Sequence, residues 1–159
     1  MTTIDVSIII VSFNTKNLTL DAIRSVEKTV KKNNYEIIIV DNNSSDQSVE
    51  EIEELHKEIS GLMLIKNKEN VGFSRANNIG IKKSHGRYVL FLNSDTIVYE
   101  KTIDGMISFM DENPDCGAST CFLRMPNGEL DDASHRGFPT PWRAFSYFSG
   151  LSKIFPKSK

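Results

Sequence analysis

Apolar residues in the first half of this chain come in consecutive runs, not at alternate positions. Residues 8–11 read Ile-Ile-Ile-Val, residues 37–40 repeat Ile-Ile-Ile-Val, and residues 88–92 read Tyr-Val-Leu-Phe-Leu. An alternating strand can leave one face in water, but a strand that is apolar at every position must be covered on both. Each run also stops on polar residues: Phe13 gives way to Asn14, Val40 to Asp41-Asn42-Asn43, and Leu92 to Asn93-Ser94-Asp95-Thr96. In a parallel sheet clad by helices, the C-terminal strand ends lie along one edge, where ligand chemistry gathers. Three polar strand ends therefore point to one site.

Between the runs the period changes from strand to helix. Leu18, Ala22, Val26 and Val30 recur every fourth residue with Ile23 beside them, and Val49, Ile52, Leu55 and Ile59 form a second apolar stripe. Ser44, Ser45 and Asp46 are candidate caps for that second helix. A third helix is predicted over 74–83, and a fourth carries Ile103, Met106, Ile107 and Met110 until Asn113-Pro114 ends it. Strands are predicted at 5–13, 35–40, 62–66, 88–92 and 118–123. Strand and helix alternating with short connections give an α/β fold: a Rossmann-like, mostly parallel sheet with helices on both faces. The regular pattern dissolves near Met125, so residues 1–125 are expected to form the core and 126–159 a loop-rich tail, helical only over 142–148.

Nineteen Lys and Arg against twenty-one Asp and Glu leave a net charge of −2, which gives no reason to expect a nucleic-acid partner. The tail is different in kind. After Asp132 it holds no acid, but Arg136, Arg143, Lys153, Lys157 and Lys159 are interleaved with Phe138, Trp142, Phe145, Tyr147, Phe148 and Phe155. Such aromatics suit packing on a further subdomain, or peripheral contact with a bilayer. Cys116 and Cys121 fall on opposite faces of the predicted fifth strand and are expected to be buried thiols. With no signal-peptide pattern and no apolar stretch of membrane-spanning length, a cytoplasmic setting is expected, either free or at the inner face of the plasma membrane. His56, His85 and His135 lack a second ligand at metal spacing and read as structural, His85 at a helix C-terminus.

Asp95, two residues after Asn93, can hold one hard divalent cation if the ligand brings most of the oxygens; equally, 93–95 can form an Asx-type turn. Asp41 can accept from a base N–H or a ribose hydroxyl, or can serve in the turn that caps the next helix. The segment 70–80, Asn-Val-Gly-Phe-Ser-Arg-Ala-Asn-Asn-Ile-Gly, enters its helix through Gly72 with small residues for close packing and N–H groups open to an anion. It is neither a dinucleotide fingerprint nor a P-loop.

Taken in order, Ser7-Ile-Ile-Ile-Val-Ser-Phe-Asn14, Ile39-Val-Asp-Asn-Asn-Ser-Ser-Asp46, Asn70-x-Gly72-x-x-x-Ala76-x-Asn78-x-Gly80 and Leu92-Asn-Ser-Asp-Thr96 resemble the successive motifs of family 2 glycosyltransferases. Asn93-Ser94-Asp95 stands where that family has D-x-D. The later stretch from Asp115 through Pro126-Asn-Gly-Glu-Leu-Asp to Arg136-Gly-Phe-Pro resembles the rhamnosyltransferase-like branch. The resemblance implies a GT-A fold and a nucleoside-diphosphate sugar donor, such as dTDP-rhamnose, lying across the strand ends. The acceptor implied is a saccharide, free or lipid-linked, in cell-surface polysaccharide synthesis, and transfer would be metal-dependent and inverting. Its implied donor-binding residues are Val11, Phe13, Asn14, Asp41, Asn43, Gly72, Arg75, Asn93, Ser94 and Asp95, with Asp95 as ligand to Mg²⁺ or Mn²⁺. In that family the catalytic base lies in a downstream acceptor-side segment; the sequence stops at Lys159, so the base is expected outside it, and Asp131 and Asp132 read as a solvated turn. A nucleotide-sugar-binding fragment without turnover and a flavodoxin-like interaction module are the alternatives.

Overall fold

A computed structural model describes residues 3–131 and 140–149. The chain divides into two compact units, Met1–Ser119 and Thr120–Lys159.

In the first unit, strands β1 (Val6–Ser12), β2 (Tyr35–Asp41), β3 (Leu62–Lys66) and β4 (Tyr88–Asn93) form one sheet in the order β3-β2-β1-β4. All three pairings are parallel. The connecting helices are α1 (Lys16–Thr29), α2 (Ser48–Glu58) and α3 (Phe73–Ile81), and α4 (Thr102–Glu112) follows β4. The triple-isoleucine runs lie in the two central strands, and Ile8, Ile9, Ile10, Ile37, Ile38 and Ile39 are wholly buried. Alternation within each run divides them between two cores. Ile8, Ile10, Ile37 and Ile39 meet α1, α2 and α4, whereas Ile9, Ile38 and Val40 meet Ala76 and Ile79 of α3. This explains why the two central strands carry unbroken isoleucine runs: each of those side chains has a helix to face. The expectation of cover on both faces fails for β4, which lies at the sheet edge and leaves Val89 and Phe91 exposed. α3 packs close because Gly80 lacks a side chain; a Cβ there would stand 2.6 Å from Ile9 Cγ2.

At the N-terminal end of the sheet the buried Glu36 accepts from Ser7 Oγ at 2.6 Å and from the His85 backbone N–H at 2.6 Å. Burial pushes the Glu36 carboxyl up, but the hydrogen bonds from Ser7 and His85 outweigh it and hold it below the usual carboxylate range. His85 therefore differs from its expected role. α3 ends at Ile81, and His85 belongs to the loop that clamps Glu36. His56 is structural as expected, its Nδ1 close to the Leu62 carbonyl.

Three other expectations are corrected. Residues 118–123 form no strand; only the bridge between Arg124 and Leu130 occurs nearby, within the second unit. The segment Ala-Ser-Thr-Cys-Phe-Leu has one β-branched residue, Thr120, and among the described residues no strand pairs with it. Cys116 and Cys121 accordingly are half-buried free thiols, not core residues. Leu18 is also exposed, at 48 %. A four-residue step overshoots the helical turn by about 40°, so eight residues before Val26 the stripe has drifted off the buried face, and Thr19 takes its place.

In the second unit, α5 (Pro141–Phe148) matches the predicted helix, with Trp142 and Phe145 stacked at 5.8 Å and both exposed. Asp132, His135, Arg136, Phe138, Lys153, Phe155, Lys157 and Lys159 lie outside the described residues. No described helix is long and apolar enough to cross a membrane.

Candidate functional site

The parallel register sets Ser12 beside Asp41, Asp41 beside Lys66, and Val11 beside Asn93, so the strands end together along one edge. Each of these strands runs from its C-terminal end into a helix of the first unit, so the N-termini of α1, α2, α3 and α4 follow from that same edge. The loops after β1, β2 and β4 and the turn into α3 therefore gather every residue of the sequence-based set. Val11 is half-buried against the α3 core, whereas Phe13 and Arg75 are exposed. Gly72 stands at the α3 N-terminus with φ +81°, its N–H bound to Asn70 Oδ1 at 2.9 Å. That backbone region favours glycine, as the sequence anticipates.

Three carboxylates occupy this edge and do different work. Asp41 is 1 % exposed; its Oδ2 accepts from the Ser44 N–H at 2.9 Å and its Oδ1 from Ser44 Oγ at 2.5 Å. Of the two readings open from sequence, this geometry is the turn, and it leaves Asp41 no exposed face for a ligand in this conformation. Asp46 serves two helices. Its Oδ2 accepts from the N–H of Lys16, the first residue of α1, at 2.8 Å, and its Oδ1 from the N–H and hydroxyl of Ser48, the first residue of α2. Burial raises the Asp46 carboxyl, but these bonds dominate and hold it low. Asp95 is exposed at the end of β4, and no side chain among the described residues bonds to it.

Asn14 also has work of its own. Its N–H donates to Ser44 Oγ at 2.9 Å, and its Oδ1 accepts from the Ser45 N–H at 2.8 Å. With φ +54° it bends the loop after β1 onto the loop after β2. The side-chain oxygen of Asn14, a residue the resemblance implies as donor-binding, is thus engaged in joining two loops. Asn43, at φ +68°, supplies the bend between Asn42 and Ser44 and is exposed. An open cavity of about 320 Å³ lies over this junction, lined by Asn14, Thr15, Lys16, Asn17, Leu18 and Asp46.

Sequence reasoning missed the polar residues that support the edge. Asn67 donates from Nδ2 to Asn42 Oδ1 at 2.8 Å and from its backbone to the Asp41 carbonyl at 2.9 Å, which ties the end of β3 to that of β2. Ser12, Thr15 and Thr19 join hydroxyls beneath α1. Thr19 on the apolar face of a helix was the available signal.

The residues suit a divalent cation only in part. No group of three or more His, Cys, Asp or Glu among the described residues can enclose one. Asp95, with no side-chain partner among the described residues and the Asn93 amide two residues away, fits a cation whose remaining oxygens come from a bound diphosphate.

Known proteins agree with this layout. The chain is 34 % identical over 153 residues to an uncharacterised glycosyltransferase of Rickettsia felis (strain ATCC VR-1525 / URRWXCal2), covering 96 % of this chain but 23 % of that one. It is 32 % identical over 110 residues to the minor teichoic acid biosynthesis protein GgaB of Bacillus subtilis (strain 168), covering 69 % of this chain and 12 % of GgaB. Among solved structures, S. aureus TarS 1–349 in complex with UDP-GlcNAc superposes with a TM-score of 0.64 at 25 % identity, over 70 % of this chain and 32 % of that one. The sheet and its helices have the GT-A arrangement. The chain spans about a quarter or less of the length of these curated relatives. Residues 7–158 match the family description "Glycosyl transferase family 2", and the chain belongs to that family.

Proposed function

We propose that this chain is the donor-binding portion of an inverting glycosyltransferase that takes a pyrimidine nucleoside-diphosphate sugar and extends a cell-surface polymer of the teichoic acid class. The observation that carries this reading is the edge itself: polar ends of β1, β2 and β4 in register, with Asp95 the carboxylate there that no described side chain engages. The pyrimidine is supported by the UDP-GlcNAc in TarS, and the polymer class by the likeness to GgaB.

In this reading Val11 and Phe13 border the base, and Arg75 on the first turn of α3 meets base or phosphate. Asp41 shapes the pocket through Ser44, and reads the base only if that serine turns away. Asp95 would hold Mg²⁺ or Mn²⁺, which when bound supplies positive charge to the departing diphosphate. Gly72 keeps the α3 entry open to the ligand, and Asn93 and Ser94 offer polar atoms beside Asp95.

Calorimetric titration of the 159-residue chain with UDP, dTDP and GDP, each with Mn²⁺ or with chelator, tests the proposal. Binding of UDP or dTDP that weakens on chelation supports it. A preference for dTDP would select dTDP-rhamnose, the donor implied by the rhamnosyltransferase resemblance; a preference for UDP would select a donor like that of TarS. Binding of none of the three would overturn the donor-site reading and favour an interaction module.

A further inference from the structure

Four hydroxyls form a continuous line beneath the first turn of α1. Ser12 Oγ lies 3.1 Å from Thr19 Oγ1, Thr19 Oγ1 lies 3.1 Å from Thr15 Oγ1, and Thr15 Oγ1 donates to Ser94 Oγ at 3.3 Å. The line begins in the interior, where Ser12 and Thr19 are fully buried, and ends at half-buried Ser94 beside Asp95. Its last link joins Thr15, in the loop after β1, to the turn after β4 across 79 residues of sequence.

Each hydroxyl has one proton to donate. Once Thr15 gives its proton to Ser94, the contact with Thr19 must be donated by Thr19, and the contact between Thr19 and Ser12 by Ser12. The longer approach of Ser12 to Thr15, 3.4 Å, draws on that same Ser12 proton. The line has a single polarity, and successive donors in a buried chain strengthen one another. Its last member, Ser94, accepts from within and keeps its own proton uncommitted within the line. A hydroxyl in that state is a donor suited to an anionic oxygen.

A second observation frees Thr15 for this work. It occupies the N-cap of α1, where a threonine oxygen ordinarily accepts from the first-turn N–H groups. Here it makes no such bond. The N–H of Lys16, the first helical residue, is bound by Asp46 from another loop, and the Thr15 hydroxyl turns toward Ser94.

We propose that Thr15 is a positioning residue: backed by Thr19 and Ser12, it holds the Ser94 hydroxyl so that its proton is presented to a diphosphate oxygen at the sheet edge. The identity of that anion rests on the donor-site reading above; the tethering of the 93–95 turn does not.

Thr15→Val removes the hydroxyl at nearly constant volume, and Thr15→Ser retains it. Amide hydrogen exchange of the full 159-residue chain without nucleotide, and calorimetric titration with UDP and Mn²⁺, provide two readouts. In Thr15→Val the amides of residues 94–96 should exchange faster while those of β1 stay protected, and UDP affinity should fall about fivefold, the effect of one hydrogen bond. Thr15→Ser should match the wild type in both. Unchanged exchange at 94–96 in Thr15→Val, unchanged affinity in that variant, or an equal loss in Thr15→Ser would overturn the proposal. If the wild type binds no nucleotide, the donor reading and the diphosphate partner fall together, and the exchange comparison alone decides the tether.

Discussion

Asp41, Asp46 and Asp95 share an edge of the sheet and differ in what already occupies them. Asp95 has no side-chain partner among the described residues, so Asp95→Ala should leave the melting temperature within about 1 °C, as for other exposed sites, while abolishing the chelator-sensitive part of nucleotide affinity. Scanning calorimetry with paired titrations would check both halves of that expectation. Asp46→Ala should do the reverse in kind: it strips acceptors from two helix starts at once and should cost about 1–3 kcal/mol in urea unfolding. Asp46→Asn, which keeps one carbonyl acceptor, should cost less. Asp41 and Asp95 were legible as site candidates from their places at strand ends, and Asp46 as a candidate cap of α2. Which of its two readings Asp41 takes, and that Asp46 also caps α1, were not, because a strand-end carboxylate and a capping carboxylate look alike until the partner N–H is located. For Asp46 one partner lies in its own loop and the other thirty residues upstream. Asn14 was assigned to the donor for the same reason, and its bonds to Ser44 and Ser45 emerge only when two loops meet.

Among the elements, the strands were the most readable, since an Ile-Ile-Ile-Val run has few alternatives to a doubly covered strand. β1, β2, β3 and β4 stand within a residue of their expected ends. The failed strand at 118–123, Ala-Ser-Thr-Cys-Phe-Leu, is poorer in β-branched residues and has no partner among the described residues, and pairing is not a local property. α3 offers the most direct test of close packing between elements. Gly80→Ala adds one methyl group facing the stiff, wholly buried Ile9. The gain in helix propensity, about 1 kcal/mol, is exceeded by an overpacking cost of about 1–3 kcal/mol. Denaturant midpoints should show a net loss, and Gly80→Ala combined with Ile9→Val should recover part of it.

Over the whole molecule, Glu36, Asp46 and Asp104 all have carboxyls held low. Asp104 is raised by burial and lowered further by Asn33 and the Lys31 N–H. In the unfolded chain these groups take up protons near their ordinary values, about pH 4. In the folded chain they do so only at lower pH, so in acid the unfolded state binds more protons and stability falls as pH falls. Their contribution should be complete above about pH 5 and decline through pH 4 and below. Urea unfolding from pH 7 to pH 3 would measure it, and Glu36→Gln should flatten the slope. The family was readable at this scale because four motifs stood in order, whereas the choice of base and sugar depends on side-chain positions around a bound donor. The double duty of Asp46 bears on the order in which the chain assembles. A helix cap is ordinarily settled within a few residues, but the carboxylate that caps α1 arrives thirty residues later and reaches it only after β2 has aligned beside β1. As the chain leaves the ribosome, the start of α1 should remain frayed until the second strand is in place, so the first strand–helix unit matures together with the second.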